Sequence, residues 1–75
     1  MNSEFRKQYI DLGLNIAYYR KKNGLSQMEL ADKINVSRTH MSRIETAQCA
    51  VSLDVVFDIC GALKIRPASL FDFRD

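Results

Sequence analysis

The chain has 75 residues, 47% of them apolar and 27% charged, with a net charge of +2. That composition fits one folded domain with a small core, and it excludes a disordered segment or a membrane-spanning helix, since no run approaches the roughly 20 apolar residues a span requires. A charge this near balance means that any role with nucleic acid must rest on where the charges lie, not on their sum.

The first predicted helix opens at Ser3, a cap candidate, with Glu4 favourable in its first turn. Tyr9, Leu12, Ile16 and Tyr19 then recur at spacings of three and four, which predicts one buried stripe. Gly13 interrupts the pattern without ending the helix. Arg20, Lys21 and Lys22 fall in the last turn, where cations suit the helix dipole; contact with phosphates is the other use for such a cluster. Asn23-Gly24 stops the helix.

Leu25 precedes the next helix as a staple-like apolar residue, Ser26 is its N-cap, and Glu29 completes a capping box. Leu30, Ala31 and Ile34 share one face. Asn35 stands at the joint, where it tolerates the left-handed backbone that ends a helix. Val36 closes the joint and Ser37 caps a third helix, on which Met41 and Ile44 share a face. The two helices are expected at about 26–34 and 37–45, joined by a tight turn.

Thr46 to Val51 is a connection. Ser52 caps a fourth helix with Asp54 in its first turn, and Leu53, Val56, Ile59, Ala62 and Leu63 define its expected core face. Val55, Phe57 and Cys60 make it apolar on more than one side. Ile65-Arg66-Pro67 breaks it, Pro67 suits the first position of a short fifth helix, and Leu70 and Phe71 are expected to anchor that helix. No strand pattern appears, so the chain is predicted to be all-α with five short helices. Asp54, Asp58, Asp72 and Asp75 lie in the C-terminal third, apart from Arg38 and Arg43.

Cys49 and Cys60 lack the spacing and the histidine partners of a metal site. No secretory leader is evident. Reduced cytoplasmic thiols are therefore expected, with Cys60 packing as a small hydrophobe; a disulfide is the alternative.

The stretch Ser26–Thr46 resembles the DNA-binding helix-turn-helix of the Cro/C1-type (Xre-like) phage and bacterial regulators. Gln27 opening the first of its helices, Ala31 at the crossing, and Leu30, Ile34, Val36, Met41 and Ile44 carry the likeness. Gly13, Ile16, Arg20, Gly24 to Gln27, Ile44-Glu45 and Ser52 to Phe71 extend it over about Leu12 to Phe71. The resemblance implies a compact five-helix bundle of the lambda-repressor-like type, one domain over 1–75. The helix-turn-helix then lies in helices 2 and 3, at about 26–46. Helices 4 and 5, about 52–73, complete the core and supply a dimer interface. Two departures stand out. Asn35 replaces the Gly that most members carry at the turn. The loop Thr46-Ala47-Gln48-Cys49-Ala50 is uncharged where members commonly have Gly and basic residues, so Ala47 would cost roughly 1 kcal/mol if it must turn left-handed.

Counted from Ser37, the outward positions opposite Met41 and Ile44 are Arg38, Thr39, Ser42 and Arg43. Arg is suited to bidentate contact with guanine, and Thr offers a hydroxyl or a methyl. By the resemblance Arg38, Thr39 and Arg43 occupy positions used on bases, with Ser42 on the same face and Arg43 equally suited to phosphate. Phosphate candidates are Ser26, Gln27, Ser37, His40, Thr46 and Gln48; His40 would otherwise be simply exposed. Arg20 and Glu45 look like a family ion pair holding the reading helix at its angle, worth under about 1 kcal/mol if exposed but costing about 3–5 kcal/mol to break if buried.

The expected function is sequence-specific transcriptional regulation on double-stranded DNA. A homodimer on a palindromic operator, with half-sites about 34 Å apart, would supply the specificity one module lacks. Val55, Phe57, Leu70, Phe71 and Phe73 are the interface candidates, unless they finish a monomer core. The alternative is an antitoxin-like protein-interaction module that keeps the fold. An enzyme is not expected, because no nucleophile–base pair, paired carboxylates or Gly-rich phosphate loop appears. No cofactor, metal, membrane or small-molecule ligand is implied, and the expected location is the cytoplasm.

Overall fold

A computed structural model describes residues 3–73 of the chain. After a 3-10 turn at Ser3–Phe5 come five helices: α1 (Arg6–Lys22), α2 (Gln27–Lys33), α3 (Arg38–Glu45), α4 (Leu53–Leu63) and α5 (Pro67–Leu70). The all-α expectation holds: no strand occurs among the described residues. Helix α1 begins later than expected, at Arg6, with Phe5 in the cap position and no side-chain cap bond. The side chain of Ser3, the expected cap, lies outside the described part, as does Asp75.

The other helix starts follow the local chemistry. Ser26 Oγ accepts the Glu29 N–H at 3.0 Å, while Glu29 Oε1 accepts the Ser26 N–H at 2.8 Å. Ser37 and Ser52 cap α3 and α4 by accepting the N–H of His40 and Val55. Pro67 takes the first position of α5.

The four longer helices end in one way. The residue after the last turn is left-handed, and two backbone N–H groups reach back to the helix: Gly24 to Lys21 O and Leu25 to Arg20 O, Asn35 to Asp32 O and Val36 to Ala31 O, Ala47 to Ile44 O and Gln48 to Arg43 O, Lys64 to Gly61 O and Ile65 to Cys60 O. The left-handed residues are Gly24, Asn35, Ala47 and Lys64. Only the first is glycine. Leu25, Val36 and Ile65, each just past such a residue, turn back and pack on the core. Lys64 is exposed and has no evident reason to be lysine there. Lys64→Gly is expected to raise stability by about 1 kcal/mol by removing left-handed strain from a residue with a Cβ. A thermal melt should show this as a rise of roughly 4–8 °C.

The core gathers Leu12 and Ile16 of α1, Leu30 and Ala31 of α2, Met41 and Ile44 of α3, Val56, Ile59, Cys60 and Leu63 of α4, and Leu70 of α5. Helix α1 lies against α3, α4 and α5, and α2 against α3 and α4. Each fully buried large side chain here contributes about 1.5–3 kcal/mol of transfer free energy. Both cysteines are free thiols, and burial pushes the Cys60 thiol up from its ordinary value, as suits a small hydrophobe. Two expectations are corrected. Leu53, assigned to the core face of α4, is 61% exposed, because α4 turns Val56, Ile59, Cys60 and Leu63 inward and leaves its first turn outside. Leu70, an interface candidate, is fully buried: the single turn of α5 points it at the core and leaves Phe71 outside.

Candidate nucleic-acid interface

Helix α3 has eight residues and two unlike faces. Met41, Ile44 and Glu45 are buried. Arg38, Thr39 and Arg43 are exposed, and Ser42 is half-buried beside them. At 100° per residue, positions 38, 39, 42 and 43 form one strip, which is why spacing alone brought them together. His40 is half-buried at its edge. Among the described residues, neither Arg38 nor Arg43 has an intramolecular hydrogen-bond or ion-pair partner, so both guanidinium groups face solvent with all donors available.

The far end of α3 is held firmly. Arg20 donates from Nε to Glu45 Oε2 at 2.7 Å and from Nη2 to Glu45 Oε1 at 3.0 Å, a two-pronged contact. Its Nη1 donates to the Leu25 carbonyl at 2.8 Å, so the same side chain also ties down the loop before α2. The Arg20 and Glu45 side chains are only 9% and 4% exposed, which places the pair in the buried class. Gln27 completes the arrangement by donating from Nε2 to Glu45 Oε1 at 3.0 Å. The resemblance implies that the Gln at this position supports the reading helix; that it does so through Glu45 was not foreseen.

The phosphate candidates separate by what their donors already do. Ser37 uses its oxygen as an acceptor in its cap, which leaves its hydroxyl hydrogen for an outside acceptor, whereas the Ser26 hydroxyl accepts in its cap and also serves the Glu29 carboxylate. Beside Ser26, however, the Ser26 backbone N–H holds the Glu29 carboxyl below its ordinary value, with the Ser26 hydroxyl and Lys33 adding to it. An ionised carboxylate there opposes a phosphate. Gln27 has committed one amide hydrogen to Glu45 and keeps the other. The Thr46 hydroxyl donates its only hydrogen to the Ser42 carbonyl at 2.7 Å, so it has nothing left to donate to phosphate in this conformation. The backbone N–H groups of Thr46, Ala47 and Gln48 all close the end of α3. From that loop the exposed Gln48 side chain and the backbone N–H groups of Cys49 and Ala50 remain.

Elsewhere the surface carries apolar side chains. Phe57 on α4 and Phe71 after α5 are 53% and 45% exposed, whereas Val55 and Phe73 are half-buried against the core. A shallow apolar groove is lined by Phe5, Tyr9, Val51, Leu53, Phe71 and Phe73. Leu53 and Phe5 were missed as surface candidates, because helical periodicity assigned one to the core and nothing marked the other. No cluster of three metal-ligating side chains occurs, and no helix is long and apolar enough to cross a membrane, among the described residues.

Comparison with known proteins bears on these features. A sequence model of the helix-turn-helix family matches residues 16–70. The control protein C.BamHI of Bacillus amyloliquefaciens is 40% identical over 52 residues, which are 69% of this chain and 64% of that protein. The immunity repressor protein of Bacillus phage phi105 is 34% identical over 59 residues, 79% of this chain and 41% of that one. The chain thus spans less than two thirds of either relative. Among solved structures, the restriction-modification controller protein C.AhdI of Aeromonas hydrophila superposes with a TM-score of 0.83 at 31% identity, covering 87% of this chain and 98% of that one. The biofilm regulator SinR, solved in complex with DNA, gives 0.75 at 32% identity, covering 81% and 98%.

Proposed function

We propose, from the premise that this chain belongs to the helix-turn-helix family, that it regulates transcription by seating α3 in the major groove of double-stranded DNA, and that it does so as a homodimer. It is a DNA-binding regulator and not an enzyme, in keeping with a repressor and controllers as its relatives. The observation that carries the docking mode is the contrast within α3. One face bears Arg38, Thr39, Ser42 and Arg43 toward solvent, and the opposite end is locked to α1 and α2 through Glu45. A helix presented rigidly with unengaged donors is what reading base edges requires.

Arg38 and Thr39 are the first choice for base contacts, with Ser42 beside them and Arg43 on base or phosphate. Gln27, Ser37, His40 and Gln48 are the phosphate contacts, a set with little positive charge and therefore a shallow salt dependence. Ser26 and Thr46 are the weaker candidates, for the reasons of charge and donor supply above. The dimer is built on the exposed apolar side chains of α4 and the C-terminal segment, Phe57 and Phe71 foremost, with Val55 and Phe73 at its edge and Leu53 added. Leu70 is withdrawn from the interface. The regulator works in the cytoplasm, where its DNA is.

Selection from a random duplex pool tests this directly. The expected result is enrichment of a two-fold symmetric site with half-sites about 34 Å apart, one helical turn or a multiple of it. Enrichment of nothing over bulk DNA would overturn the proposal. The uncharged loop after Glu45 and the apolar groove favour one rival, a module that binds a protein partner. Recovery of a stoichiometric protein partner together with no DNA preference would select it.

A further inference from the structure

We propose that Gly13 is a positioning residue for DNA reading: its missing side chain sets how closely α3 seats on α1, and through that where Arg38, Thr39 and Ser42 stand. The proposal rests on the regulator function argued above. Gly13 is buried in the middle of α1, on the same face as Ile16 and Arg20. A Cβ placed there would lie 2.5 Å from the Glu45 carbonyl oxygen, 2.8 Å from the Ile44 carbonyl oxygen and 2.9 Å from the Glu45 carbonyl carbon. All three are backbone atoms, so no rotamer change can relieve the contact.

The geometry leaves α3 few ways to give. Just beyond this contact, the Ile44 carbonyl accepts the Ala47 N–H in the turn that ends the helix. The Glu45 carboxylate is gripped by Arg20 and Gln27. At its other end α3 is held by the Asn35 turn and the Ser37 cap. Ordinary carbon–oxygen contact requires nearly 1 Å more than the clash allows, so an added methyl lifts α3 off α1 and changes the angle at which its exposed strip of Arg38, Thr39, Ser42 and Arg43 is presented. Base contacts tolerate little of this, because N–H···O bonds hold only between about 2.7 and 3.2 Å and a bidentate pair must satisfy two at once. Attraction to phosphate falls off slowly with distance and survives it. Gly13 therefore governs the specificity of binding more than its strength.

The test is Gly13→Ala, made in a Lys64→Gly background so that stability is raised before the strain is introduced. Affinity for a selected duplex and for bulk DNA is measured by fluorescence anisotropy well below the melting midpoint, with helicity followed by circular dichroism. The expected variant is folded, loses about tenfold or more in the ratio of selected to bulk affinity, and changes in bulk affinity by less than about threefold. Gly61→Ala is the matched control, since a Cβ there meets open space, and it should leave the ratio unchanged. A ratio kept within about threefold of the background overturns the inference, and so does a parallel loss of selected and bulk binding, which a merely structural role would give. A background protein with no preference for any duplex overturns the regulator function itself, so the two failures are told apart.

Discussion

Replacing Glu45 with alanine is expected to destabilise the domain by about 3–5 kcal/mol, the largest single effect foreseen here. The substitution removes both acceptors of the Arg20 fork and leaves a guanidinium group that is almost wholly buried with one carbonyl, that of Leu25, for a partner. It also strands the amide of Gln27. A domain of this size has a total stability of about 5–15 kcal/mol at most, so the variant should be partly unfolded near physiological temperature. Urea unfolding at neutral pH measures the loss. Arg20→Ala should cost a similar amount, and the double variant much less than the sum, because each single change leaves the other partner buried and alone. A loss under about 1 kcal/mol would mean that the pair behaves as an exposed one and that α3 is held by packing alone.

The second large effect concerns recognition. Arg38→Ala combined with Thr39→Ala is expected to abolish discrimination between the selected site and bulk DNA, because each good base contact supplies about 1–3 kcal/mol. Stability should hardly change, since both residues are exposed and cap nothing. Anisotropy titrations over a range of salt concentrations separate the parts: specific affinity should collapse while the logarithmic salt slope falls by about one unit at most. Unchanged discrimination would remove these two residues from the reading role. Arg43→Ala in parallel would assign that residue. A loss confined to the selected site marks a base contact, and an even loss on all DNA marks a phosphate contact.

Much of this architecture is legible in the chain because it depends on near neighbours. A serine followed three residues later by an N–H in need of an acceptor caps a helix wherever it stands, and Ser26, Ser37 and Ser52 all do so. Gly24 and Asn35 announce left-handed turns by residue type. Ala47 was legible only through the resemblance, which puts a glycine at its place. Lys64 was not legible at all, because nothing in a lysine favours that backbone; it is forced there by Ile65 turning back into the core. Spacing also grouped Arg38, Thr39, Ser42 and Arg43 on one strip of α3. It could not say that the Thr46 hydroxyl and the N–H groups of Thr46, Ala47 and Gln48 would be consumed by the end of that same helix.

The sequence by itself determined the starts of α2 to α5, most of the stops, the face that α3 leaves to solvent, and the pairing of Arg20 with Glu45 once the family likeness was seen. These follow from hydrogen bonds and periodicities spanning five residues or fewer, or from a motif read along the chain. The tertiary structure decided what lies between elements distant in sequence. It buried Leu70 and exposed Leu53, brought Gln27 onto Glu45, and set the α3 backbone against Gly13. The reason is that periodicity reports only that a helix has an apolar side. How near a neighbouring helix comes to that side, and which of its residues lie at the margin, depends on side chains supplied by the rest of the chain.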